Sequence, residues 1–215
     1  MGTEKVQTDI RRDQIAQAVL QLISRKGLKG LSVAGVAAEI GLVPSALYRH
    51  FRSKDEMVDV ALEIIGRRLL ENVEAVCREV ADPLERLRRL LERQVKLARD
   101  NPAIPRIIFS EDAYPHYPER KEKVYRLIKT FLARVEAVVR LGQQNGQIRG
   151  DYAPQTVAVL FLGLFQPAAV LNYLSAGRYD IEGHMHRVWP IFREALQREP
   201  PLPARKPGAG NTKKS

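Results

Sequence analysis

The chain has 215 residues, a formal net charge of +10 and a hydrophobic share of 45%, which allows a sizeable core and suits a small domain beside a larger one. The basic balance favours a polyanionic partner, whether DNA, RNA or an anionic membrane. Cys77 is the only cysteine, which excludes an intramolecular disulfide and a cysteine metal cage, and the polar stretch from Met1 to Asp9 lacks the apolar segment of a secretory signal, so a reducing cytoplasm is expected.

No strand alternation persists, and proline and glycine punctuate a run of helices, so the expected class is all-α. The first helix is predicted from about Asp9 to Lys26, with Ile15, Val19, Leu22 and Ile23 on one stripe and Arg25-Lys26-Gly27 at its end. A short helix follows in which Val33, Val36, Ala37 and Ile40 recur at three- and four-residue spacing, with Ser32 placed as its N-cap. Gly41 sits where the chain must reverse, and Pro44 suits the first turn of the next helix. There Leu47 and Phe51 share the inward face, so the outward face is centred on Ser45 and Arg49 and flanked by Ala46, Tyr48 and His50. Two short helices joined by a glycine turn are a helix-turn-helix.

The exposed side chains suit DNA. Arg49 can fork onto guanine or phosphate, Ser45 and Ala46 allow close approach to base edges, and Tyr48 and His50 can donate to phosphate oxygens. Ser53-Lys54-Asp55-Glu56 has the S-x-x-E form of a capping box and begins a third helix. Lys54 opposes that helix's dipole, which points to a phosphate as its compensating anion. Ser32, Val43, Pro44, Ser45, Ala46, Tyr48, Arg49, His50 and Lys54 make up the expected DNA-facing set.

Residues 9 to 60 closely resemble the N-terminal DNA-binding domain of the TetR family of bacterial transcriptional regulators, above all through Leu47-Tyr48-Arg49-His50-Phe51, Ser53-Lys54 and Asp55-Glu56. The resemblance implies a three-helix DNA-binding domain followed by a larger helical domain that binds an effector and dimerises. It also implies a homodimer joined by the last two helices of each subunit, and repression as the default mode. Ala34 departs from members that carry a basic or polar DNA contact there, which shifts the expected reading to residues 43 to 50. The expected division is a DNA-binding domain over 1–56, a ligand-binding and dimerisation domain over 57–198, and a disordered basic tail over 199–215.

The helix capped at Ser53 runs on to about Val80 with Leu62, Leu69, Val73 and Val76 inward, long enough to act as a lever between the domains. Asp82-Pro83-Leu84-Glu85 starts another, with Leu84, Leu87, Leu91, Val95 and Ala98 inward and Asn101-Pro102 at its end. Its outward side, with Arg86, Arg88, Arg89, Arg93, Lys96 and Arg99 against Glu85 and Glu92, reads as a solvated face. From Ala103 to Tyr117 the spacing loosens among Pro105, Pro115 and Pro118, as in a pocket-lining loop. Helices are predicted over about 118–144, 154–176 and 180–197.

Residues 156 to 174 approach the length of a membrane span, but Gln166, Pro167 and Asn172 interrupt the run, which favours a buried interface helix. A chain of this size could hardly bury two such apolar helices alone. Self-association is therefore expected through Phe161, Leu164, Ala168, Leu171, Val188, Trp189 and Phe192. Pro167 cannot donate to the carbonyl of Gly163 and should kink its helix. The kink either accommodates packing or shapes an effector cavity with Phe109, Tyr114, Tyr117, Phe161 and Phe165, where Gln166 or the freed carbonyl orients a polar end.

His184 and His186 are two apart and do not converge on a helix, and Glu111, Asp112 and His116 are ordinary surface groups, so no metal is expected. No phosphate-binding glycine loop or nucleophile elbow occurs, and neither a cofactor nor catalysis is expected. The expected function is that of a homodimeric repressor on a palindromic operator, released by a small, mostly apolar effector. The alternative is a non-sensing basic DNA-packaging or architectural protein.

Overall fold

The structure is a computed structural model that describes residues 2–49, 51–108 and 118–197, with side chains described from Arg12 onward. Among the described residues there are nine α-helices and no strand: α1 (Gly2–Lys26), α2 (Val33–Glu39), α3 (Pro44–Leu47), α4 (Lys54–Glu79), α5 (Pro83–Asp100), α6 (Ala103–Ile108), α7 (Pro118–Gln144), α8 (Pro154–Leu174) and α9 (Ile181–Leu196). Helix α1 starts at Gly2 rather than Asp9, since neither proline nor glycine interrupts Thr3 to Lys26. Helix α3 is shorter than expected, although Phe51 N–H still donates to the Leu47 carbonyl at 2.9 Å.

One difference from expectation concerns residues 103–108. Ala103–Ile108 is helical rather than a loop, because Pro105 falls in the first turn, where no intrahelical N–H bond is required. Phe109, Glu111, Asp112, Tyr114, His116 and Tyr117 lie outside the described residues, as does the tail over 199–215.

Two apolar cores hold the chain. The first joins Ile15, Val19, Leu22 and Ile23 of α1 to Val36, Leu47 and Phe51, to Met57 through Ile65 of α4, and to Ala103 and Ile107 of α6. In the second, Val73 and Val76 of α4 meet Leu87, Leu90 and Leu91 of α5, Phe131, Val135 and Val139 of α7, Phe161 and Ala168 of α8, and Phe192 of α9. The boundary expected at 56/57 thus falls inside one continuous helix that serves both cores.

Helix starts follow the sequence signals. Asp82 Oδ1 accepts from Glu85 N–H at 2.7 Å, and Asp180 Oδ1 accepts from Gly183 N–H at 2.8 Å. Arg86 is not part of a solvated face. It turns back to donate to the carbonyls of Val80 (2.6 Å) and Cys77 (3.0 Å), closing the end of α4. Its neighbours do form surface pairs, with Glu85 accepting from Arg88 at 2.6 Å and from Arg89 at 2.9 Å.

Those bonds, led by the one from Arg88, draw the Glu85 carboxyl from its ordinary value of 4.5 down to about 2. A depressed folded pKa contributes stability that is present above the unfolded value and is lost as pH falls from about 4.5 toward about 2. Glu85→Gln should therefore flatten that acid limb of the stability profile, measured by urea unfolding, and leave the region above pH ~6 less sensitive to pH than to the lost pair itself.

Gln94 is 7% exposed, and its side-chain nitrogen has no hydrogen-bond partner among the described residues. Such a donor costs about 1–3 kcal/mol of desolvation. Gln94→Met, near in shape and without the donor, should raise unfolding stability by up to about that amount in chemical denaturation.

Candidate nucleic-acid interface and internal cavity

The helix-turn-helix is set by three local devices. Ser32 Oγ accepts from Gly35 N–H at 3.1 Å and starts α2. At its other end Gly41 has φ +66, a left-handed conformation costly for other residues, while Gly41 N–H donates to Ala38 and Leu42 N–H to Ala37 (2.8 Å). This Schellman closure aims the chain into α3. Buried Leu47 and Phe51 then fix the roll of α3, leaving Val43, Pro44, Ser45, Tyr48 and Arg49 exposed and Ala46 half-buried. His50 lies outside the described residues.

Ser53 Oγ accepts from Glu56 N–H at 3.2 Å, and Glu56 Oε2 reaches back to Arg52 N–H at 2.7 Å. The capping box thus holds the exposed Lys54 at the start of α4, in the segment that follows α3. Arg25 pairs with Glu39 and ties the end of α1 to the end of α2.

A cavity of about 510 Å³ lies beside α4, with walls from α4, α5, α6, α7 and α8. Most of its lining is aliphatic or aromatic, including Leu62, Leu69, Ile104, Leu127, Phe131 and Phe165. Gly66 lets α7 approach closely, since a Cβ there would stand 2.8 Å from Leu127 Cδ2. Of the expected ligand contacts, Phe165 and Gln166 line the cavity. Phe161 does not. It is 1% exposed and packs against Phe192 with ring centroids 6.0 Å apart.

Sequence reasoning missed Arg120, on the first turn of α7, which is 1% exposed and also lines the cavity. Its Nε donates to Asp59 Oδ1 at 2.6 Å and its Nη2 to the Asp55 carbonyl at 3.2 Å. The partners lie more than sixty residues away, so no local pattern announces the contact. The Leu164 carbonyl, on the turn before Pro167, meets His184 Nε2 at 3.0 Å, and His184 Nδ1 meets Tyr179 Oη at 3.0 Å. Among the described residues, no group of three His, Cys, Asp or Glu side chains can hold a metal ion.

The expected self-association residues divide. Phe161, Ala168 and Phe192 are buried in the chain's own second core, so they are not free to meet another molecule, and Trp189 is half-buried against Phe192. Leu164 and Val188 are half-buried, and Leu171 is exposed. The outward apolar side chains are instead Val159, Leu160, Leu171 and Leu174 of α8 and Ile191 of α9. Helix α8 is long and apolar enough by length and composition to cross a membrane, yet its packing on α7 and α9 is that of a bundle helix.

Comparison with known proteins agrees with this layout. A family model described as bacterial regulatory proteins, tetR family, matches residues 15–61, and one described as tetracyclin repressor-like, C-terminal domain, matches residues 80–192. The chain is similar to the nucleoid occlusion factor SlmA of Serratia proteamaculans, at 27% identity over 90% of this chain and 98% of that one. SlmA of Edwardsiella ictaluri is 29% identical over 87% of this chain and 95% of its own. Among solved structures, a TetR transcription regulator from Haloarcula marismortui matches with a TM-score of 0.75 at 18% identity, over 88% of this chain and 100% of that one. FadR of Bacillus subtilis, solved in complex with stearoyl-CoA, matches with a TM-score of 0.70 at 19% identity, over 86% of this chain and 98% of that one. At these identities the solved structures speak for the fold. The two family matches take in both cores, and the chain belongs to the TetR family of bacterial regulatory proteins as a DNA-binding transcriptional regulator.

Proposed function

We propose that the protein is a cytoplasmic homodimeric repressor that binds a palindromic operator and leaves it when a small, mostly apolar effector enters the cavity beside α4. One observation carries this reading: the helix that walls the cavity is the same helix whose first turn follows the reading segment. An occupant that displaces the cavity part of α4 displaces the reading head with it, which changes the separation of the two heads in a dimer. Ligand and operator then weaken each other's binding by the same factor.

The exposed residues Leu160, Leu171 and Leu174, with Gly163 and Pro167 between them, recur at three- and four-residue spacing on one side of α8 and supply an apolar face for a second copy. A non-sensing DNA-organising role is the second reading, favoured by the likeness to nucleoid occlusion factors. Thermal-shift screening with hydrophobic compounds, followed by DNA binding to a duplex selected from a random library, separates the two. Compounds that stabilise the protein and release the duplex support the sensor, whereas a library that yields no preferred sequence, with no compound that releases DNA, supports the second reading.

In the DNA complex, Ser45, Ala46 and Arg49 face base edges, while Ser32, Val43, Pro44, Tyr48, His50 and Lys54 lie along the backbone side. Arg49→Ala should cost on the order of 1–3 kcal/mol on the selected duplex and relax sequence choice. Lys54→Ala should weaken all duplexes alike and lower the salt slope by about one unit in fluorescence titrations.

Leu160 is 57% exposed and Ile191 69% exposed in the single chain. Leu160→Glu and Ile191→Glu should therefore leave the subunit folded and convert a dimer to a monomer by light scattering. An unchanged mass for both would place the interface elsewhere.

A further inference from the structure

We propose that the cavity beside α4 receives an amphipathic monoanion, an apolar body bearing a carboxylate, and that Arg120 takes the acid group in exchange for Asp59. The effect on DNA rests on the repressor reading above, whereas the binding does not. Four cationic residues, Arg67, Arg120, Lys123 and Arg126, line the cavity against two carboxylates, Asp59 and Glu63. Three of the cations are near half exposed or more and already pair with surface acids: Arg67 with Asp13 at 2.8 Å, Lys123 with Glu63 at 3.2 Å and Arg126 with Glu122 at 3.7 Å. Arg120 alone of the four is buried, at 1% exposure.

A buried guanidinium is strongly destabilising without an anion, so Arg120 must keep one. Asp59, by contrast, has a side chain 24% exposed and can turn to water. A ligand carboxylate entering along the apolar wall can therefore replace Asp59 while Arg120 remains paired. An alcohol offers no such replacement, and an amine would place a second positive charge beside a guanidinium.

The exchange reaches the reading head. Arg120 also holds the Asp55 carbonyl at 3.2 Å and lies 3.6 Å from its carboxylate, and Asp55 follows Lys54 in the first turn of α4. Drawing Arg120 toward a ligand releases Asp55 of that turn and Asp59 of the next from α7. Arg120 is in this way both the acid-group receptor and the tie between α7 and the start of α4.

Isothermal titration of the full chain with dodecanoate, dodecanol and dodecylamine, each below its micellar concentration, tests the assignment. Dodecanoate should bind at least about tenfold more tightly than the other two. Arg120→Gln should abolish that preference. Asp59→Asn, which removes the competitor and keeps the shape, should tighten dodecanoate several-fold and leave dodecanol unchanged, and it carries the test if the Arg120 variant does not fold. Equal affinities for the three probes, a preference that survives Arg120→Gln, or weaker dodecanoate binding by Asp59→Asn would overturn the proposal. Dodecanoate that binds in the expected pattern and releases the selected duplex supports both readings. The same binding with DNA affinity unchanged upholds the Arg120 site and overturns effector release.

Discussion

The continuity of α4 is the constraint on which the rest depends. At 26 residues and 1.5 Å per residue it spans about 39 Å, and no proline breaks it. Its first turns bury Met57, Val58 and Ala61 among α1, α2 and α3, and its last turns bury Val73 and Val76 among α5 and α7. A helix anchored in two cores cannot bend to suit one of them without straining the other. On the proposed function, a displacement at the cavity would be passed along as tilt rather than absorbed locally.

Polar ties set which parts of α4 can give. Near its middle Arg67 holds Asp13 at 2.8 Å and Arg68 reaches Gln17 Oε1 at 3.3 Å, both on α1. At its end Arg86 closes the last carbonyls, and Arg134 donates to the Leu70 carbonyl at 2.9 Å. Helix α6 links the regions from a second direction, since Ala103 and Ile107 complete the first core while Ile104, Pro105 and Ile108 face the cavity. Arg106 of the same short helix lies over the Tyr173 ring of α8, 5.4 Å from its centroid. The cavity thus sits between the two cores, and the short helix α6 joins the first core to α8.

Much of this was legible in the sequence because it is local. The Ser32 and Asp82 caps, the Gly41 turn and the inward pair Leu47 and Phe51 each follow from a few neighbouring residues, and α7 spans Pro118–Gln144 as its bounding proline and glycine indicate. What failed is non-local. A helix as apolar all round as α8 does not say which side its own chain covers, so of the residues expected to meet a second copy Phe161 and Ala168 are buried and Leu171 is exposed, while the exposed Leu160 and Leu174 lie outside the expected set. Arg120 carries no local signal at the start of α7, since its partners Asp55 and Asp59 lie on α4, more than sixty residues away. Pro105 suggests a loop over 103–108, but position within a first turn, not proline content, decides whether a helix tolerates it.

Transmission of cavity occupancy along α4 to the reading heads is most directly tested by the distance between the two heads of the dimer. Spin labels on Gln21→Cys, an exposed position of α1 outside the DNA-facing set, in a Cys77→Ala background, read by double electron–electron resonance, report that distance between subunits. The account predicts that a compound saturating the cavity and releasing DNA shifts the distance distribution by several ångström, on the scale of helix and domain displacements in switching proteins. Release of DNA with an unchanged distribution would contradict it.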